Sequence, residues 1–328
     1  MGIAPKILEP SAGGLPAMTG PRWPAGISPS SLAEERELLD LMDKARGMDP
    51  KDQLSFEETL GKIQALMERA RGSRAREGTQ QRAAALNVGK KFSFSQLETY
   101  RYCPLKYLYA YVYRIPVRPA PHLAFGTDLH TCLEQFYAGV MEGRVAPLEQ
   151  LLASFHRLHS PGRYGEGFQD AEYRQLGERI LSEFYTKQGG SFVAPLFVEK
   201  SFLLEIGDVL LKGVMDRADR LEGGGIEIVD YKSGKAKEKV SPEDQLQLRL
   251  YALAAKEVFG LEPRRISFYY LRENRSLSFE QKPSDFAKTR ERLLDLIGQV
   301  QGGDFTPSPS QVKCRSCDFK ALCPASLA

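Results

Sequence analysis

The sequence has no hydrophobic run approaching the length of a bilayer span, and no basic-then-apolar opening of the kind that directs secretion. Both absences point to a cytoplasmic chain that makes no use of a membrane. A strong charge bias is missing too: 45 Lys and Arg against 42 Asp and Glu leave a formal net charge of +3. Net charge therefore makes no case for a nucleic-acid partner, and local clustering has to make it. Cysteines are few and odd in number, five in 328 residues. Without an export signal they read as thiols or metal ligands and not as a disulfide framework. A nucleotide-binding glycine loop is also absent. Ser233-Gly234-Lys235 is only the tail of one, because Val229 stands where its first glycine would be. Helicase motor motifs are missing as well.

What is present is an ordinary globular composition, 42% hydrophobic and 27% charged, long enough for one large domain or two small ones. Residues 1–30 are dense in Pro, Gly and Ser and are expected to form an arm without structure of its own. Ser31 can cap a helix whose Leu32, Leu38, Leu39 and Met42 share a face, and Leu60, Ile63, Leu66 and Met67 repeat the spacing beyond Pro50. Residues 69–82 are basic and poor in apolar side chains, a solvated linker or a nucleic-acid contact. Composition shifts before Phe92, which divides the chain into an arm with a helical extension and basic linker over 1–91 and a main domain over 92–328.

In the main domain, helical spacing is expected near 94–115, 125–137, 148–158 and 170–187. Strands are expected near 197–206, 209–221, 226–232 and 265–271, with Gly223-Gly224-Gly225 turning the middle pair into a hairpin. A helix opened by Pro242 runs through Phe259 and carries Gln247 and Tyr251 four apart, hence side by side. A last helix spans about 284–300 and precedes a cysteine-rich tail. His130 falls on or beside the buried face of its helix, where a lone histidine is commonly a core residue; His122, His156 and His159 read as surface residues.

Asp216 and Asp230 close two neighbouring apolar strands, and Lys232 follows Asp230 by two residues. Each acid alone has a bland explanation: Asp216 pairing with Arg217 or Arg220, and Asp-x-Lys as a solvated pair. Oxygen ligands gathered at one point would suit Mg²⁺ or Mn²⁺. Lys235, Lys237 and Lys239 beyond them suit a phosphate backbone or a solvated turn equally. Near the C-terminus, Cys314-x2-Cys317-x5-Cys323 favours a soft metal or an iron-sulfur cluster, zinc or iron being equally open on these residues alone. Cys103, which precedes a proline as Cys323 does, is the natural fourth ligand, while Cys132 reads as a small core residue.

Taken together, the order Ser93 to Tyr107 with its Cys103-Pro104 pair, Gly126-x-x-x-His130, Asp216, Asp230-Tyr231-Lys232 and Gln247-x-x-x-Tyr251 resembles the RecB-like branch of the PD-(D/E)XK nuclease superfamily. That branch includes the AddB nuclease domain and the CRISPR-adaptation nucleases. The resemblance covers 92–324 and implies an α/β, restriction-endonuclease-like core: a central mixed sheet of about four strands flanked by helices, with a C-terminal iron-sulfur clasp. It implies His130, Asp216, Asp230 and the carbonyl of Tyr231 as ligands of Mg²⁺ or Mn²⁺, and Lys232 as the group that orients or activates the attacking water. Gln247 and Tyr251 would hold the lysine and the substrate strand. A [4Fe-4S] cluster would sit on Cys103, Cys314, Cys317 and Cys323.

The implied activity is metal-dependent hydrolysis of DNA phosphodiesters, as an exonuclease on single strands or DNA ends in repair or recombination. The 93–107 opening is similar to nuclease domains fused behind UvrD/Rep-type helicases, so a helicase or other repair protein is an implied partner, and the chain is a standalone nuclease or the tail of a larger protein. A non-catalytic DNA-binding module of a helicase-nuclease complex, or a CRISPR-adaptation nuclease, is the alternative.

Overall fold

The computed structural model describes residues 90–117 and 120–328, together with positions 37–38, 40–42, 44–45, 48, 58–59, 61–63 and 65–66. The expectations for the arm over 1–30, the Ser31 cap, Leu32, Leu39, Pro50, Leu60, Met67 and the basic stretch 69–82 lie outside the described residues. The chain divides into two compact units, Met1–Leu86 and Asn87–Ala328. In the first, Leu38, Met42 and Ala45 are buried along one helical stretch, and Thr59, Ile63 and Leu66 along a second. Both sets are spaced i, i+4, i+7, one face of a helix.

The second unit is built on a six-stranded mixed sheet between two helical layers. Strand β1 (Lys91–Ser93) runs into helix α1 (Phe94–Tyr102), where Ser93 accepts from the Gln96 amide and Gln96 returns the bond in a capping box. A single turn α2 (Pro104–Tyr107) continues into a π-helical turn over Leu108–Val112. Helices α3 (Pro121–Met141), α4 (Leu148–Leu158) and α5 (Phe168–Lys187) follow. Then come β2 (Phe197–Ile206), β3 (Val209–Arg220) and β4 (Ile226–Lys232). Helix α6 (Leu246–Phe259) leads to β5 (Pro263–Tyr270) and β6 (Arg275–Glu280), and α7 (Pro283–Gln301) and α8 (Gln311–Arg315) complete the unit.

Two apolar cores cover the sheet. On one side Phe202, Leu211, Met215 and Ile228 pack with α1, α6 and α7; on the other Val229 and Tyr231 pack with the Phe125, Leu133, Phe136 and Phe184 side chains of α3 and α5. Four strands were expected and six are found. The two additional ones give little signal: β1 has three residues, and β6 is an edge strand whose only apolar side chains, Leu277 and Phe279, are half-buried.

The sheet forks at its centre. Strand β2 pairs with β3 along 209–218, so β1 and β4 must share the opposite edge, β1 at Leu210–Lys212 and β4 at Arg217–Arg220. Residues 213–216 lie in the gap between them. At the same point the strands exchange faces. Phe202, Leu204 and Ile206 face the α6 core, but four residues before Phe202 it is Val198 that packs against the α3 core, although the register with β3 is the same on both sides of Glu199, where the pairing is interrupted. Glu199, with φ of 42°, is the left-handed residue at the exchange, and Asp216 is opposite it in that register.

Candidate active site

Strand alternation divides Asp230-Tyr231-Lys232 between the two faces. Asp230 and Lys232 turn toward α6 and Tyr231 toward α3. Because the β3–β4 ladder ends at the pair Arg217 and Val229, the Tyr231 amide has no backbone acceptor on β3. It donates to Asp216 Oδ2 at 2.8 Å instead. From α3, His130 Nε2 donates to the Tyr231 carbonyl at 3.1 Å, and its Nδ1 lies 3.4 Å from Asp216 Oδ2. In the neutral ring that Nδ1 carries a lone pair and no proton, so two acceptors face each other. Burial holds the His130 pKa below the usual histidine value and so favours this neutral form.

Glu199 completes the group. Ligand atoms of His130, Glu199 and Asp216 all lie within 4.8 Å of one another. Burial, then the Glu134 and Asp230 carboxylates, raise Glu199 from 4.5 to about 7. Burial and the Asp230 charge push Asp216 well above the ordinary aspartate value, and the Tyr231 amide opposes them. Asp230, 2% exposed, ion-pairs with Lys232 Nζ at 2.6 Å. Burial works against the Lys232 ammonium, but Asp230 and then Asp216 outweigh it and its pKa is raised. The ammonium also donates to Gln247 Oε1 at 2.9 Å and lies over the Phe268 ring, and Gln247 Nε2 donates to the Tyr251 hydroxyl at 2.8 Å.

The structure thus brings His130, Asp216, Asp230, Tyr231, Lys232, Gln247 and Tyr251 to one place. Neither bland reading of the acids matches what is seen. Arg217 pairs with Asp219, not Asp216, and the Asp230–Lys232 pair is buried on its acidic side. Glu199 was missed because an acid in the alternating run Glu199-Lys200-Ser201-Phe202 reads as solvent-facing; only its backbone and its place opposite Asp216 reveal it.

The centre opens on two clefts. One, of ≈ 550 Å³, is lined by Ser95, Thr99, Lys232, Lys235, Lys237 and Gln247; the other, of ≈ 420 Å³, by His122, Thr127, His130, Glu134, Glu199 and Ser233. Lys237 is tied to Asp244 at 2.6 Å. His159, expected at the surface, is a correction: it is largely buried, 12% exposed, and paired with Asp170 at 2.8 Å.

Cys103, Cys314, Cys317 and Cys323 line one pocket with Tyr102, Lys106 and Phe319. Among the described residues no three cysteine sulfurs come within 4.8 Å of one another. Cys132 is fully buried in α3, where burial pushes its thiol up to about 12.

The family model of the PD-(D/E)XK nuclease superfamily matches residues 91–324. The chain belongs to this superfamily. Its members use divalent metal ions, and the donor set at the fork fits such an ion: buried carboxylates that repel one another, a neutral imidazole nitrogen and hard oxygen atoms. Among characterised sequences, the Gene 69 protein of Mycobacterium phage L5 is 26% identical over 71% of this chain and 95% of its own length. The Gene 69 protein of Mycobacterium phage D29 is 27% identical over 71% and 96%. Two solved structures overlay more distantly. The crystal structure of SSO0001 gives a TM-score of 0.37 at 17% identity, over 74% of this chain and 90% of that one. A Eubacterium rectale protein provisionally named an exonuclease gives 0.42 at 13%, over 74% and 93%. Among the described residues no helix is long and apolar enough to cross a membrane.

Proposed function

We propose that the chain is a Mg²⁺- or Mn²⁺-dependent deoxyribonuclease of the RecB-like branch, acting on single strands or DNA ends in repair or recombination. The observation that carries this reading is the convergence at the fork: Glu199 and Asp216 face each other across β2 and β3, with His130 and the ion-paired Asp230 and Lys232 beside them. His130, Glu199, Asp216 and Asp230 are the residues that would hold the ion. When bound, it would polarise the scissile phosphate and lower the pKa of a water.

The chain's own residues supply the rest. Lys232, kept protonated by Asp230 and Asp216 against burial, is a donor and not a base at neutral pH. Its part is therefore to orient the attacking water and to stabilise charge growing on the phosphate. Gln247, fixed by Tyr251, holds that ammonium in place. The ≈ 550 Å³ cleft carrying Lys235 and Lys237 offers room for the strand beside the scissile bond.

The catalytic domain in this reading is 92–328, and the preceding 91 residues take no part in cutting. Cys103, Cys314, Cys317 and Cys323 would hold a [4Fe-4S] cluster. Their common pocket supports this.

The test is digestion of end-labelled single- and double-stranded DNA with Mg²⁺, Mn²⁺ or EDTA. Wild type should cut only with metal, and Asp230→Ala and Lys232→Ala should each abolish cutting while keeping the wild-type circular dichroism spectrum. A folded Lys232→Ala that cuts as fast as wild type refutes the mechanism.

A further inference from the structure

Arg217 follows Asp216 directly, yet its guanidinium turns away from the acids at the fork. It donates to Asp219 through Nε at 2.8 Å and Nη2 at 2.6 Å, and through Nη1 to the Tyr231 hydroxyl at 3.0 Å. Its Cζ lies 4.3 Å from the centre of the Tyr137 ring. Tyr231 is 4% exposed and stands between Asp230 and Lys232. On its β3 side the ladder has already ended, so on that edge its amide is held by Asp216 and its carbonyl by His130, two of the proposed ligands, while the other edge of the strand is paired with β5 at Tyr269. The side chain is anchored independently of the ion site, by the Arg217 hydrogen bond and by packing on the Tyr269 ring.

We infer that Arg217, with Asp219 and Tyr137 holding it, is a positioning residue for the ion site: by fixing the Tyr231 ring it sets the direction of the Asp230 and Lys232 side chains and the place of the Asp216 and His130 donors. This rests on the reading of those residues as ion ligands. A planar fork is needed, because one group must serve a carboxylate, a hydroxyl and a ring face at once, which an ammonium does not do. Partners one step behind metal ligands commonly govern metal affinity by fixing ligand geometry.

The experiment uses the full chain and measures Mn²⁺ binding directly, by the electron paramagnetic resonance of free Mn²⁺, beside kinetics on DNA. Arg217→Lys and Tyr231→Phe should each weaken Mn²⁺ binding by about 10-fold or more. The KM for DNA should stay at the wild-type value, and high Mn²⁺ should restore most of kcat. Ile228→Val trims the core on the same strand; it should lower the thermal midpoint and leave the Mn²⁺ constant alone, a separation that a merely structural role for Arg217 does not give. Wild-type Mn²⁺ affinity in folded Tyr231→Phe and Arg217→Lys overturns the inference, as does equal weakening in Ile228→Val. A wild type that binds Mn²⁺ without cutting DNA refutes the proposed activity and leaves this inference standing; one that binds no Mn²⁺ overturns both.

Discussion

Replacing Glu199 with glycine is expected to make the metal-free protein more stable and less active, and the two contributions can be separated by pH. The carboxyl is raised from 4.5 to about 7 in the folded chain, so folding favours its protonated form. Below pH 4.5 it is protonated in both states and costs nothing; between 4.5 and 7 the folded state is increasingly penalised; above 7 the penalty is complete. Taken whole, the shift corresponds to about 3 kcal/mol. The side chain is only partly buried, and solvent screening reduces the figure to about 1–2 kcal/mol. The second contribution is the left-handed backbone, φ of 42°. Glycine relieves about 1–2 kcal/mol there and returns about 0.5–1 kcal/mol through the greater entropy of its unfolded chain. In EDTA at pH 9 Glu199→Gly should therefore gain roughly 2 kcal/mol, a rise of about 4–8 °C in Tm. At pH 4 the gain should shrink to the backbone part. Glu199→Gln, which keeps the backbone as it is, should gain only the pH-dependent part. Both variants should lose most cutting. A Glu199→Gly chain that melts below wild type at pH 9, or whose gain is the same at both pH values, refutes the reasoning.

Three further outcomes are expected. A chain beginning at Ala85 should fold and cut DNA as the full chain does, measured by melting and digestion; loss of both would place the first 84 residues in the catalytic fold. Cys314→Ala, removing a sulfur from the shared pocket, should abolish bound iron and its visible absorbance and lower Tm, while metal analysis showing zinc without iron in the anaerobic wild type would rule out the cluster. Gly213→Ala should destabilise by about 1–3 kcal/mol, because a Cβ there runs into the Phe202 ring; Phe202→Leu in the same chain should recover much of the loss in a melt.

Much of this was legible in the sequence because the site sits where apolar runs stop. Strands β2 and β4 have the bounds their periodicity gives, and Asp230 and Lys232 terminate β4 as polar residues closing a buried strand. Gln247 and Tyr251 share a helical face by spacing alone and do hydrogen-bond. What was not legible depends on register between distant segments. That Glu199 stands opposite Asp216 follows from the pairing of β2 with β3. That Arg217 reaches Tyr231 and not Asp216 follows from the exchange of faces at the fork. The partners of His159 and the short strand β1 are likewise set by tertiary contact, which overrides local pattern.

The gap in the ladder at 213–216 has a consequence for how the protein breathes. Along that edge residues 213–216 have no strand partner, whereas Gly213, Val214 and Met215 are paired to β2 on the other side. Deuterium should therefore enter the middle of the longest strand sooner than its flanks, an inversion of the usual fraying from strand ends. A cation drawing Asp216 and Glu199 together would close that soft spot, so protection of 213–216 should report occupancy of the centre without any turnover.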